Sequence, residues 1–198
     1  MKLKICGLSR PDDIRYVNEA CVDYAGFIIN FPKSHRNVSP EKVLSLKKLL
    51  SPDIKAVGVF VDEEISVICG LYTEGAIDII QLHGHEDNEY INKLRAHVPD
   101  AEIWKAFKIR SNDDILECVS SSADKILLDN GYGTGQHFDW SLVNNIERPF
   151  ILAGGLTPEN IPKAIRLLNP WGIDISSGVE TNGYKDKNKI IAAAFSCK

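Results

Sequence analysis

Two side chains in this chain stand where proton transfer is chemically natural. Cys6 closes the run Lys2-Leu-Lys-Ile-Cys6 and is followed by Gly7. Asp129 closes a more apolar run, Ile126-Leu-Leu-Asp129. A thiol titrates near 8.5, so a modest downward push makes it a base at neutral pH. Lys4 lies two residues before Cys6, on the same face of an extended strand, and its charge is expected to favour the thiolate. A carboxyl at the end of an apolar run needs a partner, a metal or a task. The bland alternatives are a small buried thiol and a loop-fixing aspartate. That bland reading is kept for Cys21, Cys69, Cys118 and Cys197, which fall in predicted helices or at the C-terminus.

A second set of residues suits anion binding. Gly154-Gly155 and Ser176-Ser177-Gly178 follow two late apolar runs. Glycines let backbone N–H groups approach a phosphate, and serine hydroxyls add donors. Arg36 ends the loop Pro32-Lys-Ser-His-Arg36 and suits bidentate carboxylate or phosphate binding. Gln81 and His83 end another run, and Asp174 precedes the serines. His83 has no companion ligands at metal-binding spacing, because His85 falls on the opposite face, so no metal is expected. His35, His97 and His137 are read as surface or loop residues.

These groups need elements to position them. Apolar runs bounded by Gly, Pro, Asn or Asp recur about every 25 residues. Strands are predicted at 2–7, 24–30, 54–61, 77–84, 102–109, 125–130, 150–155 and 171–177. Amphipathic segments follow at 11–23, 40–50, 63–74, 87–98, 112–122, 139–146, 158–169 and 185–197. Ser39-Pro40 and Thr157-Pro158 read as helix starts, a cap before a proline. Eight β-α units in 198 residues predict a single (β/α)8 TIM barrel of minimal size spanning 1–198. A doubly wound sheet also alternates, but the Gly-x-Gly-x-x-Gly fingerprint is missing after the first strand. Barrel active sites form at the carboxyl ends of the strands. Cys6, Asp62, Gln81, His83, Asp129, Asn130 and Asp174 all fall there, with strands one and six roughly across the mouth from each other. The loops after strands seven and eight are the fold's recurring phosphate site, and the glycines and serines lie in both. The glycine-rich segment 131–135 reads as a loop over the site.

Composition excludes several classes. The net charge of -4 and the lack of a dense Lys/Arg run argue against a nucleic-acid surface. Five cysteines, none in CxxC spacing, favour reduced thiols over a disulfide framework or zinc. No apolar run approaches the roughly 20 residues of a membrane helix. With no leader-like start either, a cytoplasmic enzyme is expected, with no membrane partner.

Taken in order, the segments resemble the phosphoribosylanthranilate isomerase family. They are Lys4-Ile-Cys-Gly-Leu8, Gly26-Phe-Ile28, Pro32-Lys-Ser-His-Arg36, Gly58-Val-Phe-Val61, Gln81-Leu-His-Gly84, Lys105-Ala-Phe107 and Leu127-Leu-Asp129. Gly133-Thr-Gly135, Phe138-Asp-Trp140, Leu152-Ala-Gly-Gly-Leu156 and Asp174-Ile-Ser-Ser-Gly-Val-Glu180 complete the set. The resemblance implies an Amadori rearrangement of N-(5-phosphoribosyl)anthranilate to 1-(2-carboxyphenylamino)-1-deoxyribulose 5-phosphate, without a cofactor. By that likeness Asp129 is the general acid and Cys6 the general base. Arg36 holds the anthranilate carboxylate. Gly154, Gly155, Ser176, Ser177 and Gly178 hold the phosphate, with Gln81, His83 and Asp174 as further substrate contacts. The assembly is expected to be a monomer or homodimer. Asn30, His35 and Gln136-His137 depart from the family's usual residues around the anthranilate side. A related barrel isomerase of histidine synthesis is the competing enzyme, and it would call for a carboxylate where Cys6 stands. A barrel that only binds a phosphorylated metabolite is the non-enzymatic alternative, favoured by loss of Cys6 or Asp129, and both are present.

Overall fold

The computed structural model describes residues 1–129, 143 and 146–198. Its strands are β1 (Lys2–Cys6), β2 (Tyr24–Ile29), the two-residue β3 (Asn37–Val38), β4 (Lys55–Phe60), β5 (Ile79–Leu82) and β6 (Glu102–Lys108). They continue with β7 (Lys125–Asp129), β8 (Phe150–Leu152), β9 (Gly172–Ile175) and the short hairpin β10 (Glu180–Thr181) and β11 (Tyr184–Lys185). Eight strands pair in parallel in the ring β1-β2-β4-β5-β6-β7-β8-β9. The ring closes through β1, where Lys4 is in register with Tyr24 on one side and Asp174 on the other. Closure leaves the eight strands of the ring without a free edge among the described residues. β3 pairs only with the far end of β2, at Ile28 and Ile29, where β1 has already ended.

Helices α1 (Pro11–Ala20), α2 (Pro40–Lys47), α3 (Ile65–Thr73), α4 (Asn88–His97), α5 (Asn112–Val119), α6 (Ile161–Leu168) and α7 (Lys187–Ser196) cover the outside. Their starts follow local chemistry. Ser39 accepts from the backbone N–H of Lys42, with Pro40 next to it. Asp87 and Asp186 cap α4 and α7 in the same way. In α1 the cap is reinforced by Asp13, whose carboxylate accepts from the backbone of Ser9 and Arg10 and from the Arg10 guanidinium.

Strand alternation divides the apolar residues into two cores. Val57, Ile79, Trp104, Ala106, Leu127, Ile151 and Ala153 fill the barrel interior. The larger set, including Leu3, Ile5, Phe27, Phe60, Ile80, Leu82, Ile126 and Leu128, packs the strands against the helices. The interior core also takes in an aromatic group, with Tyr24 edge-on to Trp104 at 5.0 Å and Trp171 6.2 Å from Trp104. The buried tryptophan indole donates to Glu102 at 2.8 Å.

All eight predicted barrel strands are present, seven of them trimmed by a residue or a few and the one predicted at 125–130 running through Asp129. One helix start is displaced. Thr157-Pro158 opens a turn, with Asn160 and Ile161 N–H groups donating to the Thr157 carbonyl at 3.1 Å each, and regular helix begins at Ile161. The segment 139–146 lies outside the described residues except at 143 and 146. So do Asn130, the glycine segment 131–135, Gln136-His137 and Phe138-Asp-Trp140. No helix among the described residues is long and apolar enough to cross a membrane.

Candidate active site

The carboxyl ends of the strands gather the polar residues. Cys6 and Lys4 share the inner face of β1, and Asp129 shares that of Leu127, an interior core residue. Room for the pair on β1 is made by Gly26, its neighbour in register. A Cβ there would lie 3.0 Å from both Cys6 Sγ and Lys4 Nζ. Lys4 is buried and donates to Asp174 Oδ1 at 2.9 Å. Asp174 is therefore one half of an ion pair inside the barrel.

Lys4 does pull Cys6 toward the thiolate, as its position on the same face suggests, but that pull does not decide the thiol's net position. Burial pushes the Cys6 thiol up, and the Asp174 charge adds to that. The opposing pull of Lys4 and Lys185 toward the thiolate is the weaker effect. Lys4 itself is held above the usual lysine range: burial works against its charge, but Asp174 and Cys6 outweigh it. The lysine is spent first on Asp174, so its neighbourhood alone does not make Cys6 an acidic thiol.

Asp129 stands at the end of β7, with Oδ2 3.5 Å from His83 Nε2. The other ring nitrogen of His83 lies 3.3 Å from Gln81 Nε2. Gln81, His83 and Asp129 thus form a chain across β5 and β7. Gln81 is fully buried, and its Oε1 has no hydrogen-bond partner among the described residues. An orphaned acceptor at the mouth of a barrel is suited to a ligand hydroxyl.

The loops after β8 and β9 pack against each other. Gly154 and Gly155 adopt φ of 83° and 63°, a conformation open to glycine. A Cβ on Gly178 would lie 1.9 Å from the Leu156 carbonyl oxygen, so the β9 loop reaches the β8 loop only as glycine. Asn160 ties the first loop down, donating to Gly155 O at 3.0 Å and accepting from Thr157 N at 2.8 Å. Ser176 and Ser177 sit beside them, Ser177 opening a 3-10 turn to Val179. Ser176 Oγ donates to the Cys6 carbonyl at 3.0 Å, joining the β9 loop to the strand of the thiol.

Arg36 is not an isolated cation. Its Nε and Nη2 donate to the two oxygens of Glu180 at 2.6 and 2.7 Å. Glu180 also accepts from Lys185 Nζ at 2.7 Å. Burial alone would raise the Glu180 carboxyl, but the two cations together hold it below its usual range. Sequence reasoning assigned no part to Glu180 or Lys185, although a signal exists. Asn182 and Gly183 both have positive φ, 54° and 79°, the two-residue turn that an Asn-Gly dipeptide favours. Such a turn sets Glu180 opposite Lys185, and they are in register.

A second buried pair shapes the neighbouring loops. Lys105 donates to Glu86 at 2.8 Å and to Gly84 O at 2.8 Å, while Glu86 accepts from the backbone of Asp62 and Gly84. Gly84 has no room for a side chain, since a Cβ would lie 2.3 Å from Asp62 Oδ1. Among the described residues no group of three or more His, Cys, Asp or Glu side chains is arranged to hold a metal ion. The departures Asn30 and His35 are both exposed. Asn30 donates to Glu63 at 2.9 Å.

Comparison with known proteins bears on the family and the fold. The sequence profile of the family described as N-(5'phosphoribosyl)anthranilate (PRA) isomerase matches residues 3–194. The N-(5'-phosphoribosyl)anthranilate isomerase of Clostridium kluyveri is 45% identical over 193 residues, covering 96% of this chain and 94% of its own length. The crystal structure of phosphoribosyl anthranilate isomerase from Thermotoga maritima superposes with a TM-score of 0.89 at 34% identity, covering 99% of this chain and 98% of that one. A crystal structure of such an enzyme in complex with reduced 1-(o-carboxyphenylamino)-1-deoxyribulose 5-phosphate gives 0.86 at 33% identity, covering 99% and 97%.

Proposed function

The chain belongs to the N-(5'-phosphoribosyl)anthranilate isomerase family, isomerases of tryptophan biosynthesis, and from that premise we propose a proton-transfer mechanism for its own residues. The reaction is an Amadori rearrangement of N-(5-phosphoribosyl)anthranilate to 1-(2-carboxyphenylamino)-1-deoxyribulose 5-phosphate. Asp129 acts as general acid, giving its proton to the ribose ring oxygen as the C1–O bond breaks. The nitrogen lone pair forms the Schiff base in the same step. Cys6 acts as general base and takes the proton from C2. The electrons of that C–H bond move toward the iminium nitrogen, giving an enolamine, which tautomerises to the ketone. C1 is reduced and C2 oxidised within one molecule, so atoms and electrons balance without a co-reactant.

The observation that carries this reading is the placement of Cys6 and Asp129 on inward faces at the carboxyl ends of β1 and β7. Other features support it. The buried Gln81 Oε1 is an acceptor suited to a ribose hydroxyl. His83, 3.5 Å from the Asp129 carboxyl, fits a group that orients it. The glycine and serine loops after β8 and β9 suit a phosphate, and Arg36 suits the anthranilate carboxylate. Asp174 acts through Lys4 on the thiol side of the site.

Cys6→Ala and Asp129→Asn are each expected to lower kcat by about 10²- to 10⁴-fold, the usual worth of a general acid or base. The test is the loss of substrate fluorescence with purified protein, alongside circular dichroism to confirm folding. Near-normal turnover in either folded variant removes that residue from its role. Dephosphorylated substrate is expected to bind far more weakly, and equal affinity by calorimetry would dismiss the phosphate loops.

A further inference from the structure

Arg36, Glu180 and Lys185 form an arrangement that the proton-transfer scheme does not use. They line a cleft of about 230 Å³ beside Gly7, at the foot of the β10–β11 hairpin. The Arg36 side chain lies across the residue after the thiol, so closely that a Cβ on Gly7 would sit 2.4 Å from Arg36 Cδ. Gly7 also has a φ of +78°, so both space and backbone demand glycine there.

The donors can be counted. A guanidinium has five N–H groups and an ammonium three. Two of the Arg36 donors go to Glu180, through Nε and Nη2. The other three, two on Nη1 and one on Nη2, have no acceptor among the described residues. Lys185 is buried, and its ammonium contacts Glu180 Oε1 at 2.7 Å, the Ser176 carbonyl at 3.0 Å and Ser176 Oγ at 3.3 Å. Lys185 is therefore spent inside the protein, and of these two cations Arg36 has donors to offer.

Charge gives the same division of labour. Arg36 and Lys185 are both positive and share one carboxylate, with only 8% of the Glu180 side chain exposed. Burial holds the Lys185 ammonium below its usual range, so its charge leans on Glu180, while the guanidinium of Arg36 keeps the charge that an incoming carboxylate would meet. Without Glu180 the guanidinium would face a buried ammonium of like sign and lose the planar partner that sets its orientation.

We propose that Glu180 is a positioning residue that fixes the Arg36 guanidinium for the ring carboxylate of the substrate, with Lys185 as its internal counter-ion. The inference rests on the reading of Arg36 as the carboxylate site and adds the residues that determine its selectivity. Through Lys185 and Ser176 the same network reaches the carbonyl of Cys6, so the carboxylate end and the thiol strand share one frame.

The test uses two stable ligands, 1-(2-carboxyphenylamino)- and 1-phenylamino-1-deoxyribitol 5-phosphate, made by reductive amination of ribose 5-phosphate with anthranilate or aniline. They differ only in the ring carboxylate. Calorimetry on the unaltered protein gives the selectivity ratio. Glu180→Gln is expected to weaken the carboxylated ligand by about 10- to 100-fold, the worth of a charged hydrogen-bond arrangement, and to leave the phenyl ligand within about twofold. Equal weakening of both ligands, or of neither, overturns the proposal. Glu180→Asp retains the charge facing Lys185 and is read if Glu180→Gln does not fold. It should show a smaller loss confined to the carboxylated ligand, and a loss shared by both ligands again overturns the proposal. Arg36→Met separates the two levels. A selective loss in Arg36→Met without one in the Glu180 variants overturns the positioning role alone. No selective loss in Arg36→Met overturns the carboxylate site and the proposal with it.

Discussion

Burial works on Cys6 against the lysine beside it. The thiol is buried at the end of β1, and Lys4, on the same face, is already engaged by Asp174. The net effect raises the thiol above its ordinary range. The sign of the pH dependence follows. A raised pKa means less thiolate at any given pH, so a rate that needs the thiolate climbs as pH rises and levels only above the ordinary thiol value of about 8.5. We therefore expect the Cys6 limb of kcat/KM to rise with pH and to level only on the alkaline side, against an opposing limb from Asp129, which must keep its proton to act as the acid. Cys6→Asp replaces the thiol by a more acidic base, and its limb should move below neutrality. A Cys6→Asp profile whose base limb coincides with that of the unaltered protein would show that Cys6 is not the base that sets this limb.

The loops after β8 and β9, proposed above to hold the phosphate, show how elements confine a site that no single residue defines. The β8 loop bends at Gly154 and Gly155, and the β9 loop meets it through Gly178. A methyl group at Gly178 would meet a backbone carbonyl, which cannot step aside as a side-chain tip can. Gly178→Ala should therefore displace one loop from the other while the strands stay paired. The expected result is a rise of about tenfold or more in KM for phosphorylated substrate, the order of one lost charged hydrogen bond. Inorganic phosphate should inhibit correspondingly less, and the far-ultraviolet spectrum should be unchanged. Unaltered phosphate inhibition would place the anion elsewhere. These loops were legible in the sequence because glycine pairs after apolar runs are a local signal. The barrel strands were legible for the same reason, their fully buried runs ending at Gly or Asp. β3 and the β10–β11 hairpin have strands of only two residues, too short for any period. The bond from Arg36 to Glu180 spans 144 positions and leaves no local trace. Sequence alone thus found the arginine but not the group that aims it. It likewise expected Lys4 to act on Cys6 without seeing that β9 brings Asp174 to the lysine first.

At the scale of the whole barrel, Lys4 and Asp174 stand at the seam where the first and last strands close the ring. Their side chains are 1% and 9% exposed, so each charge depends on the other. Removing one partner of a buried pair strands the other charge and costs about 3–5 kcal/mol, whereas replacing both by apolar groups is often neutral. Lys4→Met and Asp174→Val should each lower stability by that amount in urea denaturation. The double variant Lys4→Met/Asp174→Val should recover most of it, so the coupling energy, the double loss minus the sum of the single losses, should exceed either single loss in magnitude. Activity should not follow stability. Lys4 pulls Cys6 toward the thiolate, and the double variant lacks that pull, so its kcat/KM should remain well below the wild-type value at neutral pH. A double variant as unstable as the single ones would mean that the pair serves packing rather than mutual compensation. A double variant both stable and fully active would mean that the closing seam of the barrel is independent of the thiol. The expected separation, a ring that closes without the ion pair and a base that fails without it, makes Lys4 and Asp174 a part of the site that the fold itself does not require.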